Sequence, residues 1–184
     1  LRTAQDHGVA LRLVEETVAA NNARKRKMAL KVADALGGRV DGACIAVLGL
    51  AFKANTDDMR DAPSIPLIEA LQRAGASINA HDPVGMKHAR RMLEDVTFFD
   101  DPYSCVEGAD AVVIATEWES FKSLDFKRLA SLMRGDAVVD LRNILSEADV
   151  EANGLRLTSL GRAHRVGETA QARVEVRPAS VSGA

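Results

Sequence analysis

The sequence predicts an α/β fold, a mostly parallel sheet with helices on both faces, preceded by one long helix. Three observations carry this expectation. Short apolar runs recur, beginning with Cys44-Ile45-Ala46-Val47-Leu48, and a run without polar alternation suits a strand buried on both faces. Segments with helical apolar spacing lie between these runs, and strands alternating with helices imply parallel pairing. No internal repeat and no linker-like stretch interrupts residues 44–160, so one domain takes them all.

The elements follow in order. Residues 9–36 read as a single helix: Val9, Leu13, Val14, Val18, Met28, Val32 and Leu36 recur at helical spacing, and Gly37-Gly38 stops it. The run Arg24-Lys25-Arg26-Lys27 lies on this helix, and a solvated face is its ordinary reading, ahead of a phosphate or membrane contact. Strands are predicted near 44–48, 77–81, 96–98, 110–115, 136–140 and 155–158. Helices are predicted near 64–74, 86–94, 125–133 and 146–152, with a short turn near 102–106. In the first of these, Ser64 is a candidate N-cap, Pro66 falls in the first turn, and Leu67, Ile68 and Leu71 form the apolar stripe. A doubly wound order 3-2-1-4-5 makes strands one and four neighbours, with strand five beside strand four. The pattern is Rossmann-like. The chain then divides into a long helix over 1–38, a Rossmann-like domain over 39–160 and a flexible tail over 161–184.

The chemistry gathers after the first strand. Gly49 opens a polar loop that carries two cations, Lys53 and Arg60, among Thr and Asp residues. Ligands of open α/β sheets bind beyond the carboxyl ends of the strands, and two cations there suit an anion such as a pyrophosphate. A dinucleotide fingerprint would need G-x-G-x-x-G at this turn, but Gly49 stands alone, so side-chain cations must replace a glycine cradle. Arg142 follows the apolar run Ala137-Val138-Val139, and Thr116-Glu117 ends the fourth strand. The predicted strand order brings Lys53, Thr116 and Arg142 around one crevice. Each has a plainer alternative: a solvated Lys53, an Arg60 paired to Asp57, Asp58 or Asp61, and an Arg142 in a structural salt bridge. Asp82 ends the second strand, where acidic residues hold ribose hydroxyls in Rossmann domains, although Asp82-Pro83 is also an ordinary turn start.

The segments Leu48-Gly49-Leu50-Ala51-Phe52-Lys53, Asn55-Thr56-Asp57-Asp58-Met59-Arg60 and Ala62-Pro63-Ser64 resemble the signature of the UDP-glucose/GDP-mannose dehydrogenase family, in its C-terminal, UDP-binding domain. Ala80-His81-Asp82-Pro83, Gly108-Ala109-Asp110-Ala111, Thr116-Glu117-Trp118 and Asp140-Leu141-Arg142-Asn143 extend the likeness over most of residues 1–160. The wording of the motifs is most similar to the branch that oxidises UDP-glucose to UDP-glucuronate with two NAD. UDP-N-acetylhexosamine and GDP-mannose are the alternative substrates. The resemblance implies that Phe52, Lys53 and Arg142 bind the nucleotide-sugar and that Arg60 reaches NAD held by an N-terminal domain of the same chain. It also implies that the long helix joins two domains and forms a homodimer core. The family's catalytic cysteine lies in a Gly-Gly-x-Cys-x-Pro-Lys-Asp segment that these residues do not contain. No catalytic residue is therefore expected here, and the chain, which starts at Leu1, reads as an inactive fragment. A free-standing nucleotide-binding module without catalysis is the other reading.

Composition narrows the classes. Apolar residues make up 47% and charged residues 27% of the 184, with a net charge of −2, which suits a soluble globular chain and shows no nucleic-acid footprint. No apolar run has the length of a membrane span. Cys44 and Cys105 both sit in apolar surroundings and read as buried thiols of a reducing cytoplasm. His7, His81, His88 and His164 lack metal-ligand spacing, so no metal is expected. Trp118 reads as a packing residue.

Overall fold

A computed structural model describes residues 11–161. Six parallel strands form one sheet in the order β3-β2-β1-β4-β5-β6. They are β1 (Cys44–Leu48), β2 (Ser77–His81), β3 (Val96–Phe98), β4 (Ala111–Ile114), β5 (Ala137–Asp140) and β6 (Arg156–Ser159). The helices are α1 (Arg12–Ala35), α2 (Ser64–Arg73), α3 (Met86–Met92), α4 (Pro102–Val106), α5 (Glu119–Lys122), α6 (Phe126–Leu132) and α7 (Glu147–Glu151). The expected order of strands one to five is the observed one. The expected strands 110–115, 136–140 and 155–158 are each displaced or trimmed by a residue or so at their ends. The single turn α5 has too few residues to show a period, and the sequence pattern does not reveal it. Val9 and the first turn expected for the long helix, and the tail beyond residue 161, lie outside the described residues.

The strands are apolar throughout because both faces are covered. Ile45, Val47, Val113 and Val139 point into one core layer with Ile68 and Leu71 of α2, Ala89 of α3 and Val32 of α1. The alternate residues Ala46, Leu48, Val112, Ile114 and Val138 point into the other, with Cys105, Phe121, Leu129 and Val150. Period-two side chains thus feed two separate cores. Ile68 is fully buried and Leu67 and Leu71 nearly so, and truncating any of them to Ala costs about 2–5 kcal/mol.

The long helix is packed at one end and bare at the other. Val32 and Ala35 are buried against α2 and β5. Leu13 is 86% exposed, and Val14 and Val18 are exposed too. The helix ends where expected: Gly37 and Gly38 take positive φ, and Gly38 N–H donates to the Ala33 carbonyl at 2.8 Å. Ser64 departs from expectation. It is the first helical residue rather than the N-cap, a place taken by Pro63, and its hydroxyl donates to the Leu50 carbonyl at 2.5 Å. Cys44 is only partly buried, whereas Cys105 is fully buried. Among the described residues no helix is long and apolar enough to cross a membrane.

Candidate functional site

The parallel register sets Leu48 beside Ile114, and Ile114 beside Asp140. Three central strands therefore end level with one another. The segments that follow them, Gly49 onwards, Ala115–Glu117 and Leu141–Arg142, leave the sheet from one edge, the edge at which such sheets hold ligands.

The loop from Gly49 to Pro63 is pinned at its root by buried polar side chains. Asp82 is 1% exposed. One of its carboxylate oxygens accepts from Leu50 N at 2.7 Å, Ala51 N at 3.1 Å and Trp118 Nε1 at 3.1 Å. The other accepts from Val84 N at 3.0 Å and Gly85 N at 2.6 Å. Thr116, also buried, donates its hydroxyl to the Ala51 carbonyl at 2.7 Å. Gly49 has a φ of +93° and lies so close to the fourth-strand segment that a Cβ would come within 2.6 Å of Thr116 Cβ. These contacts revise two expectations. Asp82 has its acceptor capacity filled by backbone and indole donors and lies out of reach of a ribose. Thr116 is turned onto the loop backbone instead of facing a crevice.

Past Ala51 the loop rises to the surface. Phe52 is 47% exposed, and its N–H donates to the Asp58 carbonyl at 2.8 Å. Lys53 and Asn55 are exposed, and Asn55 and Asp61 both take positive φ. Arg60 grips Asp58 with two side-chain donors, Nε at 3.0 Å and Nη2 at 2.9 Å. Those bonds hold the Asp58 carboxyl down at about 2. Of the candidate partners for Arg60, Asp58 is the one it takes.

A cleft of about 1020 Å³ opens between this loop, α1 and the ends of β4 and β5. Phe52, Arg60 and Arg142 line it; Lys53 does not. Arg24 and Lys25 of α1 line it as well, so half of the basic run that read as a solvated face borders the candidate site. Four cations (Arg24, Lys25, Arg60 and Arg142) face two carboxylates there, Asp58 and Asp61. Lys25 Nζ donates to the Asp61 carbonyl at 3.1 Å and so ties the helix to the loop. Arg142 Nη2 lies 2.6 Å from Glu117 Oε2, which realises the salt bridge that was its plainer alternative while leaving its guanidinium on the cleft wall. An excess of positive charge beside an exposed aromatic ring suits a phosphorylated ligand carrying a flat base.

Neither cysteine has the surroundings of a nucleophile. Cys44 begins β1, at the far end of the sheet from the cleft, and burial pushes the Cys105 thiol far above its ordinary range. His81 Nδ1 is 2.9 Å from the Phe99 carbonyl and His88 Nδ1 is 3.1 Å from that of Asp57; His7 and His164 lie outside the described residues. No cluster of three or more metal-ligating side chains occurs among the described residues. Trp118 packs in the core, as expected.

Known proteins give this geometry a context. The model of the UDP-glucose/GDP-mannose dehydrogenase family, UDP binding domain, matches residues 46–147. A UDP-glucose 6-dehydrogenase of Rhizobium meliloti is 52% identical over 162 residues, which are 88% of this chain and 37% of that protein. The chain thus spans little more than a third of the length of that relative. A solved UDP-glucose dehydrogenase from Pyrobaculum islandicum superposes with a TM-score of 0.66 at 29% identity, over 85% of this chain and 34% of that one. A UDP-D-ManNAc dehydrogenase from Pyrococcus horikoshii superposes with a TM-score of 0.60 at 31% identity, over 76% of this chain and 30% of that one.

Proposed function

Since the chain belongs to the UDP-glucose/GDP-mannose dehydrogenase family, we propose that its cleft binds the UDP moiety of UDP-glucose within a cytoplasmic enzyme that oxidises the sugar to UDP-glucuronate with two NAD. The observation that carries this reading is the cleft itself: Arg142 and the exposed ring of Phe52 lie beyond the level ends of β5 and β1, and Arg24 and Lys25 of α1 line it too. Arg142 serves a phosphate from the β5 side, and Phe52 offers its ring and backbone to the nucleotide. Lys53 stands next to Phe52 on the loop surface and approaches the nucleotide-sugar from outside the cleft wall. The alternative substrates are UDP-N-acetylhexosamines and GDP-mannose, and the Pyrococcus horikoshii neighbour keeps the first of these in view.

These residues do not make a dinucleotide cradle. The turn after β1 has one glycine, and that glycine is packed against Thr116. Arg60 is the group suited to reach a cofactor held elsewhere, because its side chain is 88% exposed at the loop's outer edge. NAD, when bound, accepts the hydride; the part of this chain is to hold the substrate's nucleotide. The residues 39–160 act as the UDP-binding unit, with α1 closing one side of its cleft, and the bare end of α1 packs in a homodimer and against the domain that carries the cofactor.

Calorimetric titration of UDP and of NAD into the full-length protein tests the assignment. A hydrogen bond to a charged group contributes about 1.5–3 kcal/mol, or roughly ten- to over a hundredfold in affinity. Arg142→Ala and Lys53→Ala should each weaken UDP by about that range, and Arg60→Ala should weaken NAD while sparing UDP. Wild-type UDP binding by both of the first two variants would move the site elsewhere. NADH formation from UDP-glucose by the 184 residues alone would contradict the assignment of catalysis to another domain.

A further inference from the structure

We propose that Glu117 is a positioning residue: from the end of β4 it holds the Arg142 guanidinium on the cleft wall while leaving its N–H donors to the ligand. The inference rests on the reading that Arg142 binds a phosphate of UDP.

The backbone of Arg142 is already fixed. Buried Asp140 accepts from Arg142 N at 2.9 Å, Ile144 N at 2.7 Å and Leu145 N at 2.8 Å, which shapes the turn after β5. That turn fixes where the Arg142 side chain starts but not where its guanidinium ends, four rotatable bonds away. Glu117 supplies the missing constraint. Its Oε2 lies 2.6 Å from Arg142 Nη2, and among the described residues it is the one carboxylate in ion-pair contact with Arg142.

The contact is close but not in line. Oε2 is shut off from solvent and accepts no hydrogen bond, so the pair is a close ionic contact. Among the described residues no acceptor is hydrogen-bonded to the Arg142 guanidinium. Arg142 lines the cleft, and those of its donors that do not face Glu117 remain for a ligand. Departure of Arg142 would leave the Glu117 carboxylate, whose side chain is 34% exposed, without its counter-charge, a modest cost that favours the paired position. The ligand must then come to Arg142, and the ordering cost of a long side chain is met before binding. The contrast with Arg60 is direct, since both carboxylate oxygens of Asp58 take up Arg60 donors.

A carboxylate near a bound phosphate also repels it, so the two roles of Glu117 predict opposite signs. Glu117→Gln keeps the shape and removes the charge. In the full-length protein it should raise the UDP dissociation constant by at least about threefold, in the lower range for coupling between touching side chains. In an Arg142→Ala background the same change should cost no further affinity, since only the repulsion is left to remove. Glu117→Asp, which keeps the charge, should retain more affinity than Glu117→Gln. Thermal unfolding of each variant reports whether the fold is kept. Unchanged or tighter UDP binding by Glu117→Gln, an equal loss with Arg142 absent, or an Asp variant no better than Gln would each overturn the inference. If Arg142→Ala itself binds UDP like the wild type, it is the phosphate assignment that falls, and the role of Glu117 falls with it.

Discussion

The root and the tip of the Gly49–Pro63 loop are built in opposite ways. At the root, Leu50 and Ala51 are buried and bonded to side chains from three other stretches of sequence: Asp82, Thr116 and Ser64. At the tip, Asp58 N donates to Thr56 Oγ1 at 2.7 Å and Arg60 to Asp58, and although Met59 is buried, the polar contacts to other stretches, Lys25 to the Asp61 carbonyl and His88 beside that of Asp57, are exposed. Long-range buried bonds place the start of the loop to a fraction of an ångström. Exposed ones leave its outer edge free to rearrange around a partner. Phe52 stands at the junction, its backbone one residue beyond the pinned segment and its ring in the open. The proposed recognition of a nucleotide and closure against a second domain call for both behaviours.

The strongest way to break this contrast is at Asp82. Asp82→Ala removes the acceptor of five donors and should cost at least about 3 kcal/mol, because buried backbone N–H groups are left unpaired. Thr56→Ala at the tip should cost no more than about 0.5 kcal/mol. Chemical denaturation of the two variants measures the difference. Equal midpoints would mean that the root is no better anchored than the tip.

Gly49→Ala should rank next. The new Cβ would sit 2.6 Å from Thr116 Cβ and 2.7 Å from Thr116 N, at a φ of +93°. Strain and overpacking together put the cost at about 2–3 kcal/mol. Trimming Thr116 cannot relieve it, because one of the clashing atoms is backbone. A Gly49→Ala variant with wild-type stability would show that the loop and the fourth-strand segment separate easily.

This contrast also divides what was legible in the sequence from what was not. The strand order of the first five strands and the cleft at the ends of β1, β4 and β5 follow from apolar runs and helical spacing, which the chain spells out locally. Of Lys53, Thr116 and Arg142, the three residues that this order was expected to bring around one crevice, Arg142 lines the cleft and the other two do not. The duties of Asp82, Thr116 and Ser64 do not follow from that order. A polar residue at a strand end looks the same in sequence whether it faces solvent or a neighbour's backbone. The basic run on α1 posed the same problem. Helical spacing shows that Arg24 and Lys25 are near neighbours on a helix, but only the packing of α1 beside the loop shows which of its faces meets the cleft. Lys53, one residue past Phe52, falls outside the cleft wall because the loop is by then irregular and no period predicts its direction.

The smallest effect concerns Asp58 and Arg60. The Arg60 guanidinium, then the Arg60 N–H, lower the Asp58 carboxyl to about 2 from an ordinary 3.8. A carboxyl depressed in the folded state contributes stability above its unfolded value and loses it as pH falls through the folded one. The window for this pair is therefore between about 4 and 2. Both groups are solvated, so water and salt screen the pair, and removing Arg60 should change the fall of the denaturation midpoint across that window only slightly. What should change is the carboxyl's own titration. Followed by NMR of the side-chain carboxyl, Asp58 should titrate below its ordinary 3.8 in the wild type and return towards it in Arg60→Ala, with only a small loss of stability at neutral pH. An Asp58 that stays near 2 without Arg60 would mean that backbone donors hold it and that Arg60 is already free. An Arg60→Ala variant that unfolds early would mean that the tip is anchored as firmly as the root. The pair as built predicts neither. Its bonds are well formed but exposed, so Asp58 can give up Arg60 to an incoming anion at little cost, whereas Arg142, much less exposed beside Glu117, is held in place.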